Sequence, residues 1–225
     1  MTLREFQSWL NAHGARIVAD GLKGPATRAA TLAVFANRAA PAVTAEQIAG
    51  YARRLGGTIK QINAVARVES AGGGFLDSGH PKALYERHYA WKRLRVRIPI
   101  LSDPAPGGYT IDADRDGVND SWEKIADMAL RSPLTAFESA SFGKFQVMGA
   151  WAERLGYANA IEFAYSMTQS EAGHYEALVR YIERFGLVDA FRALSPRPAD
   201  CLAFARGYNG PAQKGYDARL AEAMR

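Results

Sequence analysis

Apolar side chains recur at helical spacing along most of the chain. Leu3, Phe6 and Leu10 lie three and four residues apart, and Gly14 is placed to end their helix. After the glycine-rich turn "ADGLKGP", the run "ATRAATLAVFAN" sets Ala30 and Val34 on one face with Phe35 beside them. Pro41 breaks that second helix, and Thr44 with Gln47 forms a capping box for the next. Beyond it the pattern predicts helices over 45–55, 58–70, 122–131, 145–155, 159–167 and 170–185, with short ones over 187–194, 199–206 and 216–225. The stretch 71–121 reads as loop-rich. The clearest stripe is Tyr175, Leu178, Val179, Ile182 and Phe185, stopped by Gly186, which predicts a central core helix. One segment alternates instead: "WKRLRVRIP" interleaves Arg93, Arg95 and Arg97 with Leu94, Val96 and Ile98, the period of a half-buried strand with a basic face.

These elements define a mainly α protein, with a small helical unit over 1–38, a linker over 39–44 and a larger domain over 45–225. At 225 residues, 48% hydrophobic and 23% charged, the chain can bury one good core and a small second module. Cys201 is the only cysteine, so no intramolecular disulfide forms, and a buried, inert thiol in a reducing compartment is expected. No apolar run reaches the length of a signal core or membrane span, so retention in the cytoplasm where the protein is made is expected. The net charge of +5 favours an anionic partner without naming it; the basic face at 93–97 is either solvated or a contact with an anionic surface.

Candidate chemistry starts at "RVESAGGGF". Ile62, Val65 and Ala66 precede Glu69 by seven, four and three residues, so the carboxylate ends an apolar helical stripe. Burial there disfavours the ionised form and raises the pKa, the property of a general acid, while the glycines after it leave room beside the acid. The alternative is a solvated helix-terminal Glu before a flexible loop. "SASFGKFQVMG" places Gly143 before Gln146, and "ARGYNGP" sets Tyr208 and Asn209 in a tight polar turn between two glycines. Each of these polar residues could instead be a paired structural group.

A separate signal is "DADRDGVNDSWE". Asp112, Asp114, Asp116, the Val118 carbonyl, Asp120 and Glu123 occupy positions 1, 3, 5, 7, 9 and 12 of a calcium loop, with Gly117 at position 6. The preceding "PGGYTI" is not helical and position 8 is Asn119, both departures from a full helix-loop-helix site, so the competing reading is a solvated loop capping the next helix. A bound Ca2+ would be structural, and no cofactor is expected for catalysis. His13, His80, His88 and His174 show no paired spacing that would hold zinc.

In chain order, Glu69 with Ser70, then Gly143 with Gln146, then Tyr208 with Asn209, resemble the three signature segments of goose-type lysozymes and lytic transglycosylases. Over 45–225 the fuller set "VESAGGGF", "LYERHYAW", "SASFGKFQVMG" and "RGYNGP" resembles the N-acetylmuramidase domain of phage endolysins. The first 38 residues resemble the small peptidoglycan-binding repeat beside many wall hydrolases, with its turn on Asp20 and Gly21 and its Gly and Thr on Gly24 and Thr27. The resemblance implies a lysozyme-like α-helical catalytic domain with a loop-rich or short β segment. It implies cleavage of the β-1,4 bond between N-acetylmuramic acid and N-acetylglucosamine, with Glu69 as proton donor and Ser70, Gln146, Tyr208 and Asn209 lining the sugar cleft. Glu86 is the first candidate for a second carboxylate and Asp77 the second; Glu86 beside Arg87 and His88 fits a structural ion pair equally well. If neither acts, attack by the sugar's own 6-hydroxyl would give a 1,6-anhydro product, the transglycosylase outcome. A wall-binding protein without activity is the competing class. Expected partners are bacterial peptidoglycan and an anionic envelope surface, with no nucleic acid, for a monomer released from the host cytoplasm through a separate membrane lesion.

Overall fold

In a computed structural model, residues 1–69, 72–110 and 112–225 are described. Twelve α-helices run in order among them: α1 Leu3–Ala12, α2 Pro25–Val34, α3 Ala45–Arg54, α4 Ile59–Glu69, α5 Arg87–Leu94, α6 Asp120–Ala129, α7 Pro133–Glu138, α8 Ala160–Gln169, α9 Glu171–Arg184, α10 Val188–Arg192, α11 Pro198–Asn209 and α12 Tyr216–Ala223. Three short antiparallel strands, β1 Ala83–Tyr85, β2 Ala140–Phe142 and β3 Val147–Met148, form one sheet in the order β1-β2-β3. Leu84 faces Ser141 and Phe142 faces Val147 in the register. The fold is therefore mainly α with a short β segment. Among the described residues, no helix is long and apolar enough to cross a membrane.

Local chemistry explains most boundaries. The capping box at Thr44 forms in full: its hydroxyl accepts from the Gln47 N–H at 3.2 Å, and the Gln47 side chain accepts from the Thr44 N–H at 2.9 Å. Helix α9 buries Tyr175, Leu178, Val179 and Ile182, as the stripe requires. Trp122 is wholly buried on α6 and donates its indole N–H to the Pro81 carbonyl at 2.7 Å, which satisfies the one polar atom of a large apolar ring. Cys201 is buried, and burial pushes its thiol pKa up.

Three local expectations are corrected. Residues 145–155 do not form an α-helix: Val147 and Met148 pair with β2, and a single 3-10 turn, Gly149–Trp151, follows. The sheet partner lies outside the segment, so tertiary pairing overrides a helical pattern there. The segment "WKRLRVRIP" is not a half-buried strand. Lys92 to Leu94 finish α5, Arg95 takes a left-handed conformation at its end, and Arg93, Arg95, Val96 and Arg97 are all exposed. With no strand beside it, the alternation has nothing to bury against. Tyr208 and Asn209 lie not in a turn but in the last turn of α11, and Gly210 ends the helix at φ 87°. Gly207 serves packing instead, since a Cβ there would lie 2.3 Å from a Leu187 methyl.

The N-terminal hairpin of α1 and α2 is organised by Gln7, which is 1% exposed. Its amide donates to Asp20, to the Leu22 carbonyl and to Thr27, and its oxygen accepts from the Gly21 N–H at 2.7 Å. The hairpin shares the core of the larger body. Phe35 lies 4.7 Å from Phe137 and 5.5 Å from Trp122 between ring centres, and Phe6 meets Phe137 edge-on. Arg28 adds a bridge to Glu123 at 2.5 Å and to Asp127 at 2.7 Å.

Candidate active site

The site is built around the C-terminal end of α4. Ile62 and Val65 are fully buried and Ala66 nearly so, which turns the same face toward the interior and leaves Glu69 half-buried at the rim. Three adjoining cavities of about 590, 370 and 260 Å3 open around this side chain. Glu69 lines all three, and it is the only carboxylate among their described lining residues.

Burial pushes the Glu69 pKa above the ordinary carboxylate range. Hydrogen bonds from Tyr216 and Asn209, and the charge of Arg219, pull the other way without cancelling it. The Tyr216 hydroxyl donates to Glu69 Oε1, which leaves Oε2 as the oxygen able to carry a proton when the carboxyl is neutral. Tyr216 is 3% exposed on α12, stacks at 6.3 Å on Tyr208, and has its own pKa raised by burial and by Glu69. Replacing Tyr216 by Phe is expected to lower kcat/KM about tenfold and to shift the alkaline limb of the pH profile upward, because a bond that favours the carboxylate is lost. An unmoved limb would show that the hydroxyl does not act on Glu69.

The glycines after Glu69 have distinct duties. Gly72 takes φ 101°, and its carbonyl accepts from Lys144 Nζ at 2.6 Å. At Gly74 an added Cβ would lie 2.1 Å from Nδ1 of the buried His174. His174 Nδ1 accepts from the Lys144 backbone N–H at 3.1 Å, so the ring proton is on Nε2, which donates to the Met167 carbonyl at 2.8 Å. Burial lowers the His174 pKa to about 4. A neutral imidazole thus joins the glycine loop, the turn after β2 and α9.

The sequence-derived residues mostly converge. Gln146, Tyr208 and Asn209 line one cavity with Glu69. The Gln146 side chain is committed to the fold: its oxygen accepts from Ser141 at 2.8 Å and its amide donates to the Gly143 carbonyl at 2.8 Å, holding a residue at φ 47°. Tyr208 donates to the Phe145 carbonyl at 3.2 Å. Ser70 lies outside the described residues. Glu86 occupies the N-cap position of α5 without a side-chain capping bond; its Oε2 accepts from the Tyr109 hydroxyl at 2.5 Å and lies 3.1 Å from His88 Nδ1. It lines none of the three cavities, although Tyr109 lines the one of about 590 Å3. Asp77 is exposed. In the acidic loop, Asp112, Asp114 and Asp116 form one close group and Asp114, Asp120 and Glu123 another. Tyr216 and His174 were missed as site residues: a tyrosine seven residues beyond Asn209 carries no spacing signal, and His174 sits within the α9 stripe.

The fold is that of a lysozyme-like phage lysin: a crystal structure of the Burkholderia AP3 phage endolysin matches with a TM-score of 0.70 at 30% identity, covering 99% of this chain and 92% of that one. A search of curated proteins gave no match. The family model for N-acetylmuramidase matches residues 58–225, and the chain belongs to that family. It is a glycoside hydrolase whose substrate is bacterial peptidoglycan, and it cleaves the β-1,4 bond between N-acetylmuramic acid and N-acetylglucosamine.

Proposed function

We propose that Glu69 protonates the glycosidic oxygen through Oε2 while water attacks the anomeric carbon, passing through an oxocarbenium-like transition state. The observation that carries this reading is a half-buried carboxyl with a raised pKa, shared by three cavities that otherwise offer no carboxylate among their described residues. Tyr216 and Asn209 orient the acid, and Tyr208 and Gln146 shape the wall of the groove. Glu86, the candidate second carboxylate, acts through Tyr109, to which it is hydrogen-bonded. Residues 1–38 form the wall-binding unit. The protein acts in lysis, reaching the wall from the host cytoplasm through a separate membrane lesion, as a monomer. Mass spectrometry of soluble fragments from purified peptidoglycan provides the test. Reducing N-acetylmuramic ends from the native protein, absent with Glu69→Gln, support the reading; anhydro ends or intact glycan overturn it.

The acidic loop belongs to the same proposal as a structural Ca2+ site, supported by the two close carboxylate groups and opposed by the engagement of Glu123 with Arg28. Adding calcium after chelation is expected to raise the melting temperature by several degrees at saturating ion, through preferential binding to the folded state. An unchanged melting temperature would remove the ion from the account.

A further inference from the structure

The 370 Å3 cavity beside Glu69 holds charges that proton transfer does not use. Asn209 and Tyr216 engage the acid, but Lys214 and Arg219 also line this cavity, and neither has an ion-pair partner among the described residues. Arg219 is placed by its surroundings. Its guanidinium carbon lies 5.4 Å from the centre of the Tyr216 ring, whose hydroxyl donates to Glu69, and its charge acts on the Glu69 carboxyl. Gln213 is spent on the fold: its oxygen accepts from the Tyr216 N–H at 2.7 Å and its amide donates to Asp217 at 3.4 Å. Asp217 does not line the cavity, so when Glu69 is protonated Lys214 and Arg219 face no anion there.

The substrate supplies an anion close to that place. The anomeric carbon at the bond that is cut belongs to N-acetylmuramic acid. The same ring carries, through its lactyl ether, a peptide branch that ends in free carboxylates, whereas N-acetylglucosamine carries no charge. With Glu69 protonating the glycosidic oxygen, the muramic ring lies beside the acid, and its branch starts next to a cavity that shares that carboxyl. A guanidinium fork suits a planar carboxylate, and a nearby ammonium adds a point charge. The 590 Å3 cavity is less well supplied: of its two lysines, Lys144 is committed to the Gly72 carbonyl at 2.6 Å and to Glu171 at 3.4 Å, which leaves Lys82.

We infer that Lys214 and Arg219 form a subsite for a carboxylate of the muramyl peptide branch, selecting muramyl strands over neutral glycans of N-acetylglucosamine alone. The inference rests on Glu69 being the proton donor. NMR titration of the full-length Glu69→Gln protein is the test, with two ligands: the disaccharide N-acetylglucosaminyl-N-acetylmuramic acid bearing an L-alanyl-D-glutamate branch, and the same compound with its carboxyls amidated. The free acid is expected to bind about tenfold more tightly than the amide. Lys214→Gln or Arg219→Gln, added singly, should cut that preference to roughly threefold, and together they should abolish it. Both side chains are exposed, so the melting temperature of these variants should hold. Equal affinity for the two ligands, or no response to either up to millimolar concentration, overturns the inference. So does a preference that survives both substitutions, or one lost only with Lys82→Gln, which would put the branch in the larger cavity. Binding is read here without turnover, so the proton-donor reading fails separately, by continued glycan cleavage with Glu69→Gln.

Discussion

Glu69→Gln is expected to lower kcat on peptidoglycan roughly a thousandfold, the scale of losing a positioned general acid, while leaving the folded protein at least as stable as before. The second half follows from the direction of the pKa shift. A carboxyl whose pKa is raised in the folded state is favourable below its ordinary value of 4.5 and loses that favour as pH rises through the folded-state value. Once the pH exceeds the folded-state value, the native protein carries an ionised, partly desolvated Glu69 at a cost that Gln does not bear, and the Gln oxygen can still accept from Tyr216. Thermal unfolding of both proteins at neutral pH and near pH 4 checks this: the variant should melt at the same temperature or higher at neutral pH, and the gap should shrink in acid. A variant that melts lower at neutral pH would mean that the raised pKa has been misassigned. Activity of the native enzyme should fall on the alkaline side as Glu69 loses its proton.

The second large effect concerns His174. Its pKa is depressed from an ordinary 6.5 to about 4 by burial, so the unfolded chain binds a proton that the folded one refuses across that interval. Stability from this residue is intact above about pH 6.5 and drains away as pH falls toward 4, amounting to roughly 3 kcal/mol across the window. Of its charged neighbours, Glu171 favours protonation and Lys144 opposes it. Because carboxylates elsewhere titrate too, the informative quantity is the difference between native protein and His174→Gln, measured by denaturant unfolding at several pH values: the native curve should be the steeper between pH 4 and 6.5. Gly74→Ala attacks the same contact sterically. Placing a methyl where His174 sits should cost about 1–3 kcal/mol by overpacking and reduce activity by loosening the loop beside Glu69. Parallel pH curves, or an unchanged Gly74→Ala protein, would show that the buried His174 does not hold the glycine loop in place.

These two residues also mark what could be read from the sequence. Glu69 was legible because its spacing from Ile62, Val65 and Ala66 is local, and one helix fixes the face on which it lies. The stripe of α9 and the cap at Thr44 were legible for the same reason. His174 sits on that stripe as one more residue facing inward, and its value depends on Gly74 and Lys144, which are brought to it from far along the chain. Tyr216 reaches Glu69 only because α12 packs across α4, a contact that no periodicity encodes. The strands were missed at Val147 and Met148 because a two-residue pairing leaves no period to detect. The arginine alternation misled for the converse reason, a period with no partner strand to receive it.

The shared core of the N-terminal hairpin bears on how such lysins can be recombined. Phe35 packs at a tilt against Phe137 and Trp122, and Arg28 grips α6, so the seam between the parts runs through the packed interior and not along the largely exposed stretch 39–44. A chimaera cut at that stretch would strip aromatic cover from one parent and present the other with an ill-fitting insert. Changes to the hairpin in this scaffold are therefore better made on its outer face, one side chain at a time, than by exchanging the whole unit.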